Sequence, residues 1–386
     1  MYLGYNYLCM RIGIDARLIG ETGVGRYIRN LLSDYQKKDT RNTYVLYLPP
    51  AWYETYTPAG NFEKRCVRVR WHTVWEQIVM PIVAMNDHLD VLHVPYFTVP
   101  ILYPGKIIVT IHDLTVLHFP TGKATTLPYP FYALRYLGYL AVLSLGLWRA
   151  SKVIAVSKAT KQEIIDHFKV NPAKIQIISE GIDARFQHVP KKMPREIRGS
   201  YFLYVGNAYP HKNLEMLVRS FAQFLRSYPL YRPTKLVLVG KEDFFYKKLK
   251  RMAESFPECR SIVFFDKADD RQLTSLYFWA DALVYPSKME GFGLPTLEAL
   301  TLGCPVVCSD IPVFHEILGD IPLYVDIRST GDLTRAFVAV KTNGRAIRKR
   351  IKKQMTNLVK NYSWDKAGKE TRELYEKLGP VSVPNI

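Results

Sequence analysis

Short apolar runs rich in β-branched residues alternate with helical stretches along most of the chain. This alternation predicts parallel strands joined by helices that cover both faces of a sheet. Residues 189–200 interrupt the pattern with two prolines and several charged side chains, which is the composition of a linker. The pattern then restarts. The sequence therefore predicts an α/β fold of two Rossmann-like, doubly wound halves whose strand ends could face a central cleft.

The alternation also predicts where the main elements lie. In the first half we expect a helix at 26–35 and strands at 11–15, 43–48, 91–93, 107–111 and 153–156. In the second half we expect a helix at 211–224 and strands at 201–205, 236–239, 262–265 and 282–285. Because domains average ~150 residues, a chain of 386 residues suggests two or three. We place a first domain at 1–190 and a second at 198–363.

The charge of the chain points to anionic partners. Lys and Arg number 53 against 35 Asp and Glu, a net charge of +18. A nucleic acid, an anionic membrane face or a phosphorylated substrate would each suit it. The 48% of hydrophobic residues excludes a disordered chain, a disulfide miniprotein and a fibrous repeat. The five cysteines form no CxxC pair, so we expect buried, reduced thiols and no metal site.

Two apolar segments leave alternatives open. Residues 131–148 are nearly long enough to span a bilayer, but Arg135 interrupts them, so a core helix is favoured over a surface helix that dips into lipid. Residues 1–9 lack the basic start of a signal peptide, so they are interpreted as an optional leader or a start-site extension. Lys64, Arg65, Arg68 and Arg70 near Trp71 and Trp75 would suit either anionic lipid or a solvated charge run.

Two motifs with chemical potential lie in the first half. Gly23 and Gly25 precede a helix and allow close backbone approach, although a bare tight turn explains them equally well. The spacing departs from GxGxxG, so a nicotinamide fingerprint is not supported. His112 and Asp113 end a strand, where a histidine projects toward a ligand or forms a structural His–Asp pair.

Two further motifs lie in the second half. A strand, a glycine turn at Gly206 and Lys212 in the first turn of a helix would suit a diphosphate, although Asn213 could simply cap that helix. In the other motif, Glu290 precedes a Gly-Phe-Gly loop and Glu298 lies within the helix that follows. Since carboxylates repel phosphates, their natural partners are neutral hydroxyls of a ribose and a hexose.

With these motifs, nearly the whole chain resembles the family 4 glycosyltransferases, which are retaining enzymes with the two-domain GT-B fold. The likeness rests on the four motifs above together with Gly13 to Arg17, Val156 to Lys158, Gly303 to Pro312, and Ser363-Trp364-Asp365. The last of these looks like the family's C-terminal element, so the resemblance implies that a helix at 364–386 returns to the first domain.

The resemblance implies a role for each site residue. Three residues would be catalytic, namely His112, Lys212 and Glu290. His112 would lie near the reacting carbon, Lys212 would neutralise the diphosphate, and Glu290 would hold a sugar hydroxyl. Glu298 would hold the ribose. The donor-binding set would comprise Gly23, Gly25, Asn207, Lys212, Glu290, Gly291, Phe292, Gly293, Leu294 and Glu298. Many relatives carry an Arg where this chain has Asn207, so another cation, with Arg17 and Arg26 as candidates, would have to replace it.

The resemblance also implies a reaction. A hexose, most simply mannose from GDP-mannose, would pass to a glycan or lipid-linked acceptor in surface polysaccharide synthesis, with retention of configuration. No D-x-D triplet occurs, so no metal or other cofactor is expected. The enzyme would be cytoplasmic and could lie on the inner face of the membrane. The alternatives are a UDP-hexose donor, a nucleotide-sugar epimerase of the same fold, and a basic nucleic-acid-binding protein.

Overall fold

In a computed structural model of the chain, residues 9–119, 129–187 and 193–379 are described. They divide into two compact units. Unit 1 comprises the described residues within Met1–Leu114, Leu127–Gly181 and Trp364–Ile386, and unit 2 those within Thr115–Thr126 and Ile182–Ser363. The longer segment of unit 2 thus begins at Ile182, whereas the second domain expected from the sequence begins at 198. Residues 1–8 of the expected leader and 189–192 of the expected linker lie outside the described residues.

Unit 1 is built on a parallel sheet of seven strands in the order β3-β2-β1-β4-β5-β6-β7. The strands are β1 (Arg11–Asp15), β2 (Thr43–Leu48), β3 (Phe62–Cys66), β4 (Val91–Val94), β5 (Ile107–Ile111), β6 (Lys152–Ala155) and β7 (Ile175–Ile177). The helices are α1 (Gly23–Lys38), α2 (Pro50–Thr55), α3 (Glu76–Met85), α5 (Tyr129–Arg149), α6 (Lys158–Phe168) and α13 (Trp364–Glu376).

Unit 2 is built on a parallel sheet of six strands in the order β10-β9-β8-β11-β12-β13. The strands are β8 (Tyr201–Val205), β9 (Lys235–Val239), β10 (Ile262–Phe265), β11 (Ala282–Tyr285), β12 (Val306–Ser309) and β13 (Leu323–Val325). The helices are α4 (Thr115–His118), α7 (Leu214–Ser227), α8 (Phe244–Glu254), α9 (Asp270–Trp279), α10 (Leu294–Thr301), α11 (Pro312–Leu318) and α12 (Thr330–Asn361).

These two sheets confirm the predicted fold class of two Rossmann-like, doubly wound units. In unit 1 the strand order reverses between β1 and β4, and in unit 2 between β8 and β11. Ligands of open parallel sheets bind outside the carboxyl ends of the strands at such reversals. The segments that follow β1, β4, β8 and β11 are therefore where each unit would hold a ligand.

The predicted starts of two helices were wrong. Helix α1 begins at Gly23 rather than at 26, so Gly23 and Gly25 lie in its first turn and not before it. Helix α7 begins at Leu214 rather than at 211, because Pro210–Lys212 form a separate 3₁₀ turn and Asn213 adopts a left-handed conformation with φ 59°. The thiol prediction holds for Cys304 and Cys308, which are buried, but not for Cys9 and Cys66, which are exposed.

A buried hydrogen-bond network ties α13 to the sheet of unit 1. Tyr35 Oη donates to Tyr375 Oη at 3.1 Å, and Tyr375 Oη lies 2.6 Å from Nδ1 of His93. Nε2 of His93 lies 2.8 Å from Oγ1 of Thr110. Burial, with a smaller effect of the charge on His112, lowers the pKa of His93 to about 3. The ring is therefore neutral, so one of its nitrogens donates a hydrogen bond and the other accepts one.

This network predicts that Tyr375→Phe destabilises unit 1. The substitution leaves Nδ1 of His93 buried without its hydrogen-bond partner, which costs about 1–3 kcal/mol. Calorimetry should show Tm falling by about 2–4 °C for each kcal/mol lost. Tyr228→Phe, at an exposed tyrosine of unit 2, is the matched control and should leave Tm unchanged. Equal Tm values for the two variants would contradict the role of the network.

Candidate active site

The segments that follow β8 and β11 meet at the strand reversal of unit 2. The backbone N–H of Lys288, after β11, donates to the carbonyl of His211, after β8, at 2.7 Å. This bond fixes the two segments side by side. The first segment carries Lys212 and the second carries Glu290, which are the two residues of unit 2 that the sequence predicts to be catalytic.

Lys212 and Glu290 form an ion pair between these segments. Nζ of Lys212 lies 2.5 Å from Oε1 of Glu290, and the two side chains are only 11% and 9% exposed. The ammonium also lies 5.5 Å from the ring centroid of Tyr285, within reach of a cation–π contact. The structure thus joins an ammonium and a carboxylate that the sequence assigns to a diphosphate and to a sugar hydroxyl.

Lys212 does not occupy the first turn of a helix, as the sequence predicted. It ends the 3₁₀ turn Pro210–Lys212, and the left-handed Asn213 separates this turn from α7. Asn213 occupies the position of an N-terminal cap, but its side chain makes no capping bond. The positive end of the α7 dipole lies just beyond Lys212 in the chain, so the two positive features are neighbours in sequence.

Glu298 lies on α10 and is fully buried. Its Oε2 accepts a hydrogen bond from Oη of Tyr277 at 2.9 Å. Burial raises the pKa of Tyr285 well above its usual value, and the charges of Glu290 and Glu298 both raise it further. Both glutamates therefore lie within electrostatic reach of one tyrosine, which brings the two predicted acids into the same neighbourhood of unit 2.

Backbone geometry at the start of α10 explains the glycine loop. Gly293 has φ 85°, and a Cβ there would lie 2.6 Å from the ring of Phe314. Only glycine satisfies both conditions. The Phe292 ring is buried and packs edge-on against Tyr362 at 5.6 Å. Of the predicted donor-binding residues here, Phe292 can therefore offer a ligand its backbone but not its side chain. Gly291 is buried, and Leu294 is the first residue of α10.

Some buried polar atoms in the same segments have no hydrogen-bond partner within the described part of the chain. They include Oγ of Ser287, after β11, and Nδ2 of Asn213, after β8. Buried polar groups are normally paired, so a ligand that supplies their partners would be stabilised there. Sequence reasoning missed Ser287 and considered Asn213 only as a possible cap of α7. It also missed Tyr277 and Tyr285, which look like ordinary core residues of a helix and a strand.

Asn207, one of the predicted donor-binding residues, has an exposed side chain. Its carbonyl accepts a hydrogen bond from Oη of Tyr204 at 2.7 Å, so the backbone here is held in place. Arg17 was one candidate for the replacement cation. It is buried in unit 1, where it pairs with both Asp15 and Glu76, so its charge is already neutralised. Arg26, the other candidate, is half-buried in the first turn of α1.

In unit 1, Gly23 and Gly25 have different surroundings. A Cβ at Gly25 would lie 2.6 Å from the carbonyl oxygen of Ile19, so close packing alone requires glycine there. A Cβ at Gly23 would meet nothing within 4 Å in the described structure. Of the two glycines, Gly23 is thus the one whose place leaves space for a ligand.

His112 follows β5 and uses both ring nitrogens. Nδ1 lies 2.7 Å from Oε1 of Glu180, and Nε2 lies 3.1 Å from the carbonyl oxygen of Pro95. Burial lowers the pKa of His112, but the hydrogen bond and the charge of Glu180 outweigh it, so the pKa is raised overall. Because both partners are acceptors, the ring is a cation that donates from both nitrogens. Sequence reasoning missed Glu180 and the Tyr27 ring, which packs edge-on against His112 at 4.8 Å.

Known families match the two halves of the chain. Residues 22–186 match the family described as Glycosyltransferase Family 4, and residues 188–371 match the Glycosyl transferases group 1. Among solved structures, WaaG, a glycosyltransferase involved in lipopolysaccharide biosynthesis, has a TM-score of 0.72 at 16% identity over 94% of this chain and 99% of its own. HepE of Anabaena, solved with UDP and glucose, has a TM-score of 0.74 at 15% identity over 95% of this chain and 100% of its own. At these identities the likeness establishes the fold.

Curated relatives include several mannosyltransferases. The O-antigen chain mannosyltransferase RfbU of Salmonella typhimurium is 28% identical over 66% of this chain and 66% of its own. The O-antigen chain mannosyltransferase B of Escherichia coli is 27% identical over 76% of each chain. The serotype-specific mannosyltransferase WbdA of Escherichia coli is 28% identical over 56% of this chain, which spans only 27% of WbdA. From the family matches and the paired sheets, the chain belongs to the family 4 glycosyltransferases of GT-B fold and is mannosyltransferase-like.

Proposed function

We propose that this glycosyltransferase moves mannose from GDP-mannose to a glycan or lipid-linked acceptor in surface polysaccharide synthesis, with retention of anomeric configuration. The observation that carries the proposal is the ion pair between Lys212 and Glu290. The O-antigen mannosyltransferases among the relatives support the choice of mannose and of a polysaccharide product. GDP is the usual carrier of activated mannose, so the nucleotide follows from the sugar.

The ion pair fits the chemistry of a sugar diphosphate. In such a donor the anionic β-phosphate and the sugar hydroxyls are only a few bonds apart, so the groups that bind them must be close together. An ammonium suits the phosphate, and a carboxylate suits the hydroxyls. A carboxylate has about four lone-pair sites, so Glu290 can accept from Lys212 and from a sugar hydroxyl at the same time. Glu298, in the same neighbourhood, is left for the ribose.

The proposed step forms one bond and breaks one at C1 of the sugar. The bond from C1 to the β-phosphate oxygen breaks, and its electron pair stays on the departing GDP. The acceptor oxygen bonds to C1 on the same face, and its proton passes to the departing phosphate. Because negative charge grows on that phosphate, the ammonium of Lys212 stabilises the transition state more than the bound donor.

His112 enters this proposal as a cation. A ring that donates from both nitrogens has no lone pair with which to remove the acceptor proton. Its predicted catalytic role therefore consists of hydrogen bonding and charge, and not of general-base catalysis. The carboxylate of Glu180 keeps the ring charged and fixes its orientation.

We predict that Lys212→Ala lowers kcat by about 100-fold or more, since one lost electrostatic contact to the growing charge costs about 2.7–4 kcal/mol. The measurement is turnover of GDP-mannose by the purified variant. Lys248→Ala, at an exposed lysine of α8, removes the same charge and should leave kcat unchanged.

The Lys212→Ala variant also leaves the carboxylate of Glu290 without its ammonium, which can destabilise the fold. The double variant Lys212→Ala/Glu290→Gln removes that unpaired charge, so it should regain Tm but not kcat. Near-normal turnover by folded Lys212→Ala would contradict the proposed role of the ion pair.

Calorimetry can test the nucleotide and Glu298 together. We expect GDP to bind more tightly than UDP, and Glu298→Gln to weaken GDP binding about tenfold or more, because a hydrogen bond to a charged group contributes about 1.5–3 kcal/mol. Glu254→Gln, at an exposed residue of α8, is the control and should bind GDP normally. Tighter binding of UDP would overturn the choice of donor, and an unchanged affinity of Glu298→Gln would overturn the ribose role.

We also propose that catalysis needs no metal ion, because Lys212 and the start of α7 can offset the charge of the diphosphate. Turnover in excess EDTA should equal turnover without it, and proton NMR of the product should show the anomeric configuration of the donor. A rate that falls in EDTA and returns with Mg²⁺ or Mn²⁺ would contradict metal independence. An inverted product would contradict the same-face step.

A further inference from the structure

Exposed large hydrophobic side chains are concentrated in unit 1. Those of unit 2 are scattered and include Leu230 and Phe244. Those of unit 1 come from three segments and are Trp71, Val74, Trp75, Ile78, Ile82, Met85, Leu102, Phe131, Leu134, Leu137, Leu145 and Trp148. Scattered exposed hydrophobics are ordinary, but a concentration of this kind marks a surface that something covers. We call this set of side chains the apolar face.

Helix α3 and the turn before it supply one part of the apolar face. Trp75, Ile78, Ile82 and Met85 recur at the three- and four-residue spacing that places side chains on one side of a helix. The opposite side packs into unit 1 through Met80 and Ala84. The helix is therefore apolar on both sides, and large apolar residues occupy the side that faces solvent.

Helix α5 supplies the second part. Phe131, Leu134, Leu145 and Trp148 lie along its exposed side, whereas Leu143 and Leu147 are buried against unit 1. The expectation of a core helix was therefore wrong. The helix lies at the surface, because only a narrow stripe of it packs inward. Within the described residues no helix is long and apolar enough to cross a membrane.

Both helices pack on the segment that joins β4 to β5, which itself exposes Leu102. On the α3 side, Oε1 of Gln77 accepts a hydrogen bond from the backbone N–H of Ile101 at 2.9 Å. On the α5 side, the Phe97 ring packs edge-on against Tyr139 at 4.7 Å. The segment thus links the two helices within unit 1.

The region is basic as well as apolar. Residues 66–86 contain one acidic residue, Glu76, which is buried against Arg17, and residues 95–106 and 129–149 contain none. Arg68, Arg70 and Arg135 are exposed there. Lys64 and Arg65, which the sequence also suggested for lipid binding, instead bind other groups of unit 1. The ammonium of Lys64 donates to the carbonyls of Tyr53 and Tyr56, and Arg65 pairs with Asp87 and Glu63.

We infer that the apolar face docks on an anionic bilayer, with α3 and α5 lying in the plane of the interface. Apolar side chains that include tryptophans and are flanked by arginines are what such a surface recognises. A protein partner would be expected to bring acidic side chains to an interface with hydrogen bonds, whereas lipid needs only apolar area and positive charge. The inference deepens the proposed function, because a lipid-linked acceptor would be met at this face.

The test is co-sedimentation of the full chain with vesicles of phosphatidylcholine alone or mixed with phosphatidylglycerol. We expect binding to the mixed vesicles that weakens with added salt. Trp75→Glu and Leu134→Glu, at side chains 68% and 70% exposed, should each lower the partition coefficient about tenfold or more. Each replaces an apolar group that would enter the bilayer by a charge that the anionic lipid repels. Leu230→Glu, 82% exposed in unit 2, is the matched control and should bind like the wild type.

The outcomes separate this inference from the proposed function. Equal losses in Leu230→Glu and Trp75→Glu, or no binding by the wild type, would overturn the docking surface. A concentration-dependent dimer that Trp75→Glu and Leu134→Glu dissolve, with no vesicle binding, would assign the apolar face to a second copy of the chain instead. Calorimetry with GDP on the same variants should give the wild-type affinity. The docking inference can therefore fail while the transferase proposal stands, and the transferase proposal can fail while the docking inference stands.

Discussion

The ion pair between Lys212 and Glu290 is the contact on which the ligand-binding end of unit 2 depends. Removing two charges from water is costly, and a buried pair regains that cost only with close geometry and further bonds. Both conditions hold here. The 2.5 Å contact is supported by the ring of Tyr285 and by the backbone bond from Lys288 to His211. Parallel strands make this possible, because β8 and β11 deliver both segments to the same edge of the sheet.

The fold follows from patterns that the sequence displays openly. The bounds of β1, β2, β5, β8, β10 and β11 were predicted to the residue, because each contains a short run of apolar residues between turn or helical segments. The edge strands β3, β7 and β13 were missed. β3 is charged at its centre, and β7 and β13 have only three residues each. The start of a helix is harder to predict from the sequence. Because Asn213 has a left-handed backbone, α7 begins after Lys212 and not at 211 as predicted.

The candidate site was predictable only in part. Lys212, Glu290 and Glu298 are recognisable because charged residues after a strand and around a glycine loop have few structural explanations. Their supports are tyrosines, which sequence reasoning assigns to the core. The partner of His112, Glu180, is 68 residues away in the chain, and Tyr375 lies 282 residues after His93. No local pattern reports pairs so distant, although they decide which ring is charged and which is neutral.

The apolar helix α5 shows a different limit of prediction from the sequence. Hydropathy records how much apolar surface a helix has, not which side of it packs, so a core helix and an interfacial helix read alike. Packing distinguishes them, and here it leaves Phe131, Leu134 and Trp148 in solvent beside Arg135. Exposed apolar area promotes self-association unless it is covered, whereas a high net charge opposes it. The net charge of +18 and the apolar face then suit the same partner. An anionic bilayer has negatively charged headgroups and an apolar interior.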